Sequence, residues 1–332
     1  MRASLLCLGL LACAPVEDPG VRDSDSDTET TTDSDTDTTA PTDTDDTDTD
    51  TETTGPTTDY DCTTPWPATT DPVVIGPVPA SEDFDIDADG NLIHVESGNL
   101  VVRDSVTNTV TVIAPNLTWS ASGTRVLRNG DIVVADSANG NVVRVDRQTG
   151  AKVILINRNW PNGIDVDRDD NIYLTDFADI GSVTRINAYD PTDNEILINN
   201  VARPNGVVLS PDGNTLHVAL NWSNEIWKME KDVNGDWGPP SIFHNSPGSA
   251  QSVTTDICGT LYWEALDTVR RRTADGAQSG DVGTAPGFQY MPNLRWGYGV
   301  GGFQEGHLYA LSRGELWEFY VGVPGKKHIS DQ

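Results

Sequence analysis

"RPNGVVLSPDGNTLHVAL", residues 203–220, rewrites an earlier stretch, "WPNGIDVDRDDNIYLTDF", residues 160–177. Each has Pro-Asn-Gly, an alternating apolar run, a polar turn and a second apolar run. Alternation with a period of two marks strands that bury one face, and the Asp, Asn and Gly between the runs suit hairpin turns. A pair of such hairpins about 43 residues apart says that the chain is built from copies.

Outward from this pair the same unit recurs. Before it stand "EDFDIDADGNLIHVESGNLVVRDSVTNTVTVI" and "TRVLRNGDIVVADSANGNVVRVDRQTGAKVIL". After it stand "SVTTDICGTLYWEALDTVRRRTADG" and "NLRWGYGVGGFQEGHLYALSRGELWEFYVG". Each unit reads as four short strands, and no long stretch has helical periodicity. A period of 40 to 45 residues with four strands is the pattern of β-propeller blades, which bury their faces only by stacking in a ring. The fold class expected is all-β, a six-bladed β-propeller over residues 71–332, following a disordered acidic tether. "PVVIGPV", residues 72–78, is placed to close the ring as the outer strand beside "ELWEFYV".

The formal net charge is -30, and it is uneven. Residues 17–61, mostly Asp, Thr and Ser, hold 17 of the 51 acidic residues and one base, Arg22. With nothing apolar to bury, this stretch cannot offset its ordering entropy and reads as a tether, taken to span residues 13–70. It has no EF-hand or glycine-rich calcium repeat. The rest is moderately acidic and has no basic stripe, which argues against nucleic acid as a partner.

Residues 1–12 read as a leader: one Arg, then an apolar run too short to span a bilayer. Leu11-Ala12-Cys13 resembles the lipobox of bacterial lipoproteins. That resemblance implies cleavage before Cys13, lipidation of its thiol, and a membrane-anchored, exported protein, with Ala14 favouring the outer membrane. Of the four cysteines, Cys7 leaves with the leader and Cys13 takes lipid. Cys62 and Cys258 remain in an oxidising compartment, and a Cys62–Cys258 disulfide is expected. A monomer is expected.

"PNGIDVDRDDNIYLTD" and "PNGVVLSPDGNTLHVA" resemble blade openings of the gluconolactonase, senescence-marker-protein and strictosidine-synthase-like propellers. "SEDFDID" is similar to their Glu-containing first blade, and "GVGGF" with "LYALSRGELWEFYVGVPG" to their last. The resemblance covers about residues 75–325. It implies an axial calcium site held by a Glu, two Asn and an Asp that doubles as general base. Glu82, Asn162 and Asn205 fall on the first three positions. Gln251, or Ser252 beside it, falls on the fourth, and an amide cannot take a proton at neutral pH. The second blade offers Ser122 and Gly123. Asn-Gly is also a good turn pair, so a turn and a ligand role both stand for the two Asn residues.

Trp160, Trp222 and Trp296 fall near channel-side loops, as stacking groups for a small-molecule or surface ligand or as covers of gaps between blades. No HExxH or GxSxG is present. Two functions follow: a calcium-dependent lactone or ester hydrolase with an altered base, or a binding or scaffold propeller without catalysis.

Overall fold

The computed structural model describes residues 60–80, 82–285 and 293–331. The expected leader, Cys13 and most of the acidic stretch lie outside these residues. The described chain forms six four-stranded antiparallel sheets, five of them simple meanders and the sixth a three-stranded meander completed by the first strand of the described chain. Their inner strands are Phe84–Ile86, Ala121–Val126, Pro161–Val166, Pro204–Leu209, Ala250–Thr255 and Leu294–Trp296. Among the described residues the only helix is a single 3-10 turn at Ile329–Asp331.

Why the ring forms follows from the burial pattern. Strand 132–136 is buried throughout (Ile132, Val133, Val134, Ala135, Asp136), because a blade's middle strands are covered on both faces. Outer strands such as Val110–Ala114 are mostly exposed. Apolar clusters fill the gaps between neighbouring blades: Ile164, Ile172 and Leu174 of blade three meet Leu127, Val133 and Val142 of blade two.

Neighbouring inner strands run close together. A Cβ on Gly163 would stand 2.2 Å from the Asn205 carbonyl oxygen, and one on Gly123 would stand 2.3 Å from that of Asn162. Close approach, not a turn, therefore requires these glycines. Side chains sew the strands together. Asp83 and Asp85 accept from Thr124 N at 2.7 Å and Val126 N at 2.8 Å, and Asp165 accepts from Leu209 N at 2.8 Å.

The ring closes as expected from sequence. Val73–Pro77 pairs antiparallel with Glu315–Tyr320 as the outer strand of the last blade. Cys62 is bonded to Cys258 in the turn after the inner strand of blade five, with a Cα–Cα distance of 5.6 Å. Residues 60–70, read from sequence as the end of the tether, pack on blade five. Trp66 lies under the Arg271 guanidinium at 4.4 Å, Arg271 also donates to Pro67 O, and Thr69 donates to Asp281 O.

Candidate functional site: an axial polar well

One mouth of the channel is ringed by a residue from each blade. Ser122, Asn162, Asn205, Gln251 and Asn293 line one cavity, and Glu82 joins them through a hydrogen bond from the Ser122 hydroxyl at 3.0 Å. The free cavity volume is about 10 Å³, room for one water-sized group.

Local strand geometry puts these side chains there. The pairing of inner and second strands shifts register between Ala121 and Gly123, between Pro161 and Ile164, between Pro204 and Val207, and between Ala250 and Val253. Each irregularity contains the ring residue of its blade. A bulge re-aims a side chain that regular pleating would place elsewhere. The turn alternative for the Asn residues is set aside, since Asn162 and Asn205 sit inside strands and neither has positive φ.

Asn162 is 8% exposed and Asn205 9%. Among the described residues, their side-chain amides and that of Gln251 have no hydrogen-bond partner in the protein. Asn293 is committed: its amide donates to Glu82 O at 3.1 Å, and its carbonyl oxygen accepts from Arg295 at 3.3 Å. Glu82 is half-buried. Burial pushes its pKa up, the Ser122 hydrogen bond opposes this, and the Asp83 charge adds to the rise. No Lys or Arg pairs with Glu82 among the described residues.

Behind Glu82 runs a chain of hydroxyls. Ser122 Oγ lies 2.9 Å from Ser137 Oγ, which lies 2.8 Å from Ser120 Oγ near the rim. Each hydroxyl carries one proton. Ser122 is placed to donate to Glu82 or to Ser137, and Ser137 also donates to Ser120 O at 3.1 Å.

Beneath the ring the channel is filled by charge. Arg295 Nη2 contacts both carboxylate oxygens of fully buried Asp83, at 2.7 and 2.9 Å. Arg125 reaches Asp83 at 3.2 Å, and Lys326 reaches Asp165 at 2.6 Å. Burial raises the proton affinity of Asp83 and Arg125 opposes it. The Arg295 contact on both oxygens opposes it further. The C-terminal segment crosses the far mouth: Lys326 N donates to Thr255 O, the His328 ring reaches Ile86 O at 3.1 Å, and Ile329 joins the apolar cluster of blades two and three. The C-terminal segment thus covers the far mouth.

Tests of fit to a hard cation come from the donors. Among the described residues no three His, Cys, Asp or Glu side chains converge as a metal cluster. The ring offers one carboxylate with neutral amide and hydroxyl oxygens, the ligand class of calcium. Three partnerless amides and an unpaired, desolvated carboxyl fit such an ion, with less charge than a site of two carboxylates.

Trp160 and Trp222 stand at the ring side, 49% and 63% exposed. The expectation for Trp296 is corrected. It is 2% exposed, packs edge-on against Tyr262 with ring centroids 5.1 Å apart, and presses on Gly325, so it covers the gap between blades five and six. Sequence reading missed Asn293, although Pro292-Asn293 repeats the Pro-Asn of blades three and four. It also missed Arg125 and Arg295. Their signal is an arginine set inside an inner strand, Ala121–Val126 and Leu294–Trp296.

No family model matches this chain, and no curated protein matches it. Solved structures do. A protein assigned as a gluconolactonase aligns at 18% identity over 79% of this chain and 96% of its own, with a TM-score of 0.65. The calcium-binding protein regucalcin from Agrobacterium tumefaciens aligns at 16% over 79% and 98%, with a TM-score of 0.63. A gluconolactonase from Xanthomonas campestris aligns at 19% over 78% and 98%, with a TM-score of 0.59. At these identities the likeness is one of fold, and a fold hosts many chemistries. The chain carries the six-bladed β-propeller fold of the gluconolactonase and regucalcin structures.

Proposed function

We propose that the axial well binds a divalent cation of the calcium type and that the protein hydrolyses a lactone or related ester there. The observation that carries this is the convergence of Glu82, Asn162 and Asn205 with Gln251 in one well, their amides without protein partners. Glu82 with the Asn162, Asn205 and Gln251 carbonyl oxygens would hold the ion. A bound cation would polarise the carbonyl of the substrate. Gln251 cannot serve as base. Glu82, as a ligand of the ion, is not free to act as base either, so a bound cation would itself have to activate the attacking water. The covered far mouth keeps substrate entering from the ring side.

A second reading, a binding propeller without catalysis, draws on one observation: the blade-five position holds an amide. The assay that separates them is hydrolysis of a panel of aldonolactones and aryl esters with calcium present. Hydrolysis lost in Glu82→Gln and on chelation supports the enzyme. Activity indifferent to both overturns it, and absence of turnover with cation binding intact supports the binding reading. From the Leu-Ala-Cys leader and the acidic stretch, we further propose that the monomeric propeller is exported and held on a lipid anchor at the outer membrane.

A further inference from the structure

The chain has nine tryptophans, and those that stand exposed among the described residues are Trp119 at 79%, Trp160 at 49% and Trp222 at 63%. All belong to the ring side, one on each of three successive blades. Trp119 precedes the inner strand of blade two, and Trp160 directly precedes that of blade three. Trp222 follows the second strand of blade four at the end where Leu220 pairs with Pro204.

Each indole is seated against a neighbour. Trp119 lies over Gly98, where an added Cβ would meet ring atoms at 3.1 to 3.3 Å. Trp160 packs edge-on with Phe177, centroids 5.5 Å apart. Trp222 is stacked under the Arg203 guanidinium at 4.6 Å, and Arg203 is itself held by Asp179 at 2.8 Å. Three large rings are thus braced on one side and open to solvent on another. Exposed, rigid aromatics gathered on one face mark a binding surface, since they offer contact area at low entropic cost.

The well beside them carries the polar Ser122, Asn162 and Asn205 side chains, and Ile180, 77% exposed in the turn after Phe177, adds a further separate apolar group. Separate apolar faces set among amides and hydroxyls do not fit a lipid chain or an amphipathic helix, which need a continuous apolar groove. They fit a pyranose chain, whose rings have apolar C–H faces and hydroxyl edges. The net charge of -30 disfavours a polyanion. We infer that the ring-side rim is a binding platform for an uncharged oligosaccharide, which lies across Trp119, Trp160 and Trp222 on blades two to four. This does not rest on the cation or on hydrolysis in the well.

The test is calorimetric and fluorescence titration of the full chain with neutral hexasaccharides (cellohexaose, xylohexaose, mannohexaose, maltohexaose, chitohexaose), their disaccharides, and polygalacturonate. At least one neutral hexasaccharide should bind saturably, and its disaccharide should bind about tenfold more weakly or worse, because it spans fewer platforms. Trp119→Ala, Trp160→Ala and Trp222→Ala should each weaken the hexasaccharide by about tenfold with the melting temperature unchanged. Chelation should leave binding intact, which separates the rim from the well. No binding by any neutral hexasaccharide at millimolar concentration, equal affinity for disaccharide and hexasaccharide, preference for polygalacturonate, or indifference to all three substitutions would each overturn the inference.

Discussion

Replacing Glu264 with Gln should change how the stability of the protein depends on pH. Glu264 lies on the second strand of blade five, Leu261–Ala265, and is 1% exposed. Its Oε2 has no hydrogen-bond partner. Burial, with a smaller contribution from the Asp267 charge, pushes its pKa up to about 9 from an ordinary 4.5. The folded protein therefore keeps this proton at neutral pH, while the unfolded chain loses it. A folded pKa raised above the unfolded one contributes stability fully present below pH 4.5 and lost as pH rises toward about 9. Within that window the slope is about 1.4 kcal/mol per pH unit. Gln has the same shape, mimics the neutral acid and does not titrate. Between about pH 5.5 and about pH 7.5 the variant should gain roughly 2–3 kcal/mol on the wild type. Urea unfolding of both proteins across this range measures it, and all other titrations cancel in the difference. Two stability curves that run parallel would mean that folded Glu264 is ionised, and the burial argument would fail.

Two further expectations concern the frame around the well. Cys62 and Cys258 are 196 residues apart, so replacing both with Ser should destabilise the protein by up to about 5 kcal/mol; urea unfolding would show it, and an unchanged midpoint would refute it. Arg295→Met leaves buried Asp83 with Arg125 alone and should cost about 3–5 kcal/mol, whereas a loss below about 1 kcal/mol would show that the axial charges are not coupled as their distances imply.

The fold was legible because blade identity is written locally. Turns such as "SPDG" and the alternation on either side lie within one hairpin, and the repeat distance needs no knowledge of distant contacts. Even the closing strand could be assigned, since Val73–Pro77 is an apolar run ahead of the first unit, and it supplies the outer strand that the sixth lacks. The well was half legible. Pro-Asn-Gly pointed to Asn162 and Asn205, but its meaning was split differently from a turn: Asn faces the axis from a bulge, and Gly admits the neighbouring strand. Bulges leave no trace in apolar periodicity. The Asp83–Arg295 contact joins residues 212 apart in sequence, so no local pattern announces it. Trp296 was misplaced for a related reason: a ring near a strand end can face either rim or gap, and packing on Tyr262 decides it.

The central claim is that the axial well holds a divalent cation, and the most direct measurement is the melting temperature of the full chain in calcium and in chelator, beside Asn205→Ala. The comparison with the variant removes any contribution from the acidic N-terminal stretch, which both proteins share. A site filled to about 100 times its Kd adds about 2.7 kcal/mol, or roughly 5–10 °C for a domain of this size. The account predicts that rise in the wild type and its loss in Asn205→Ala. The same rise in both proteins, or none in either, would contradict it.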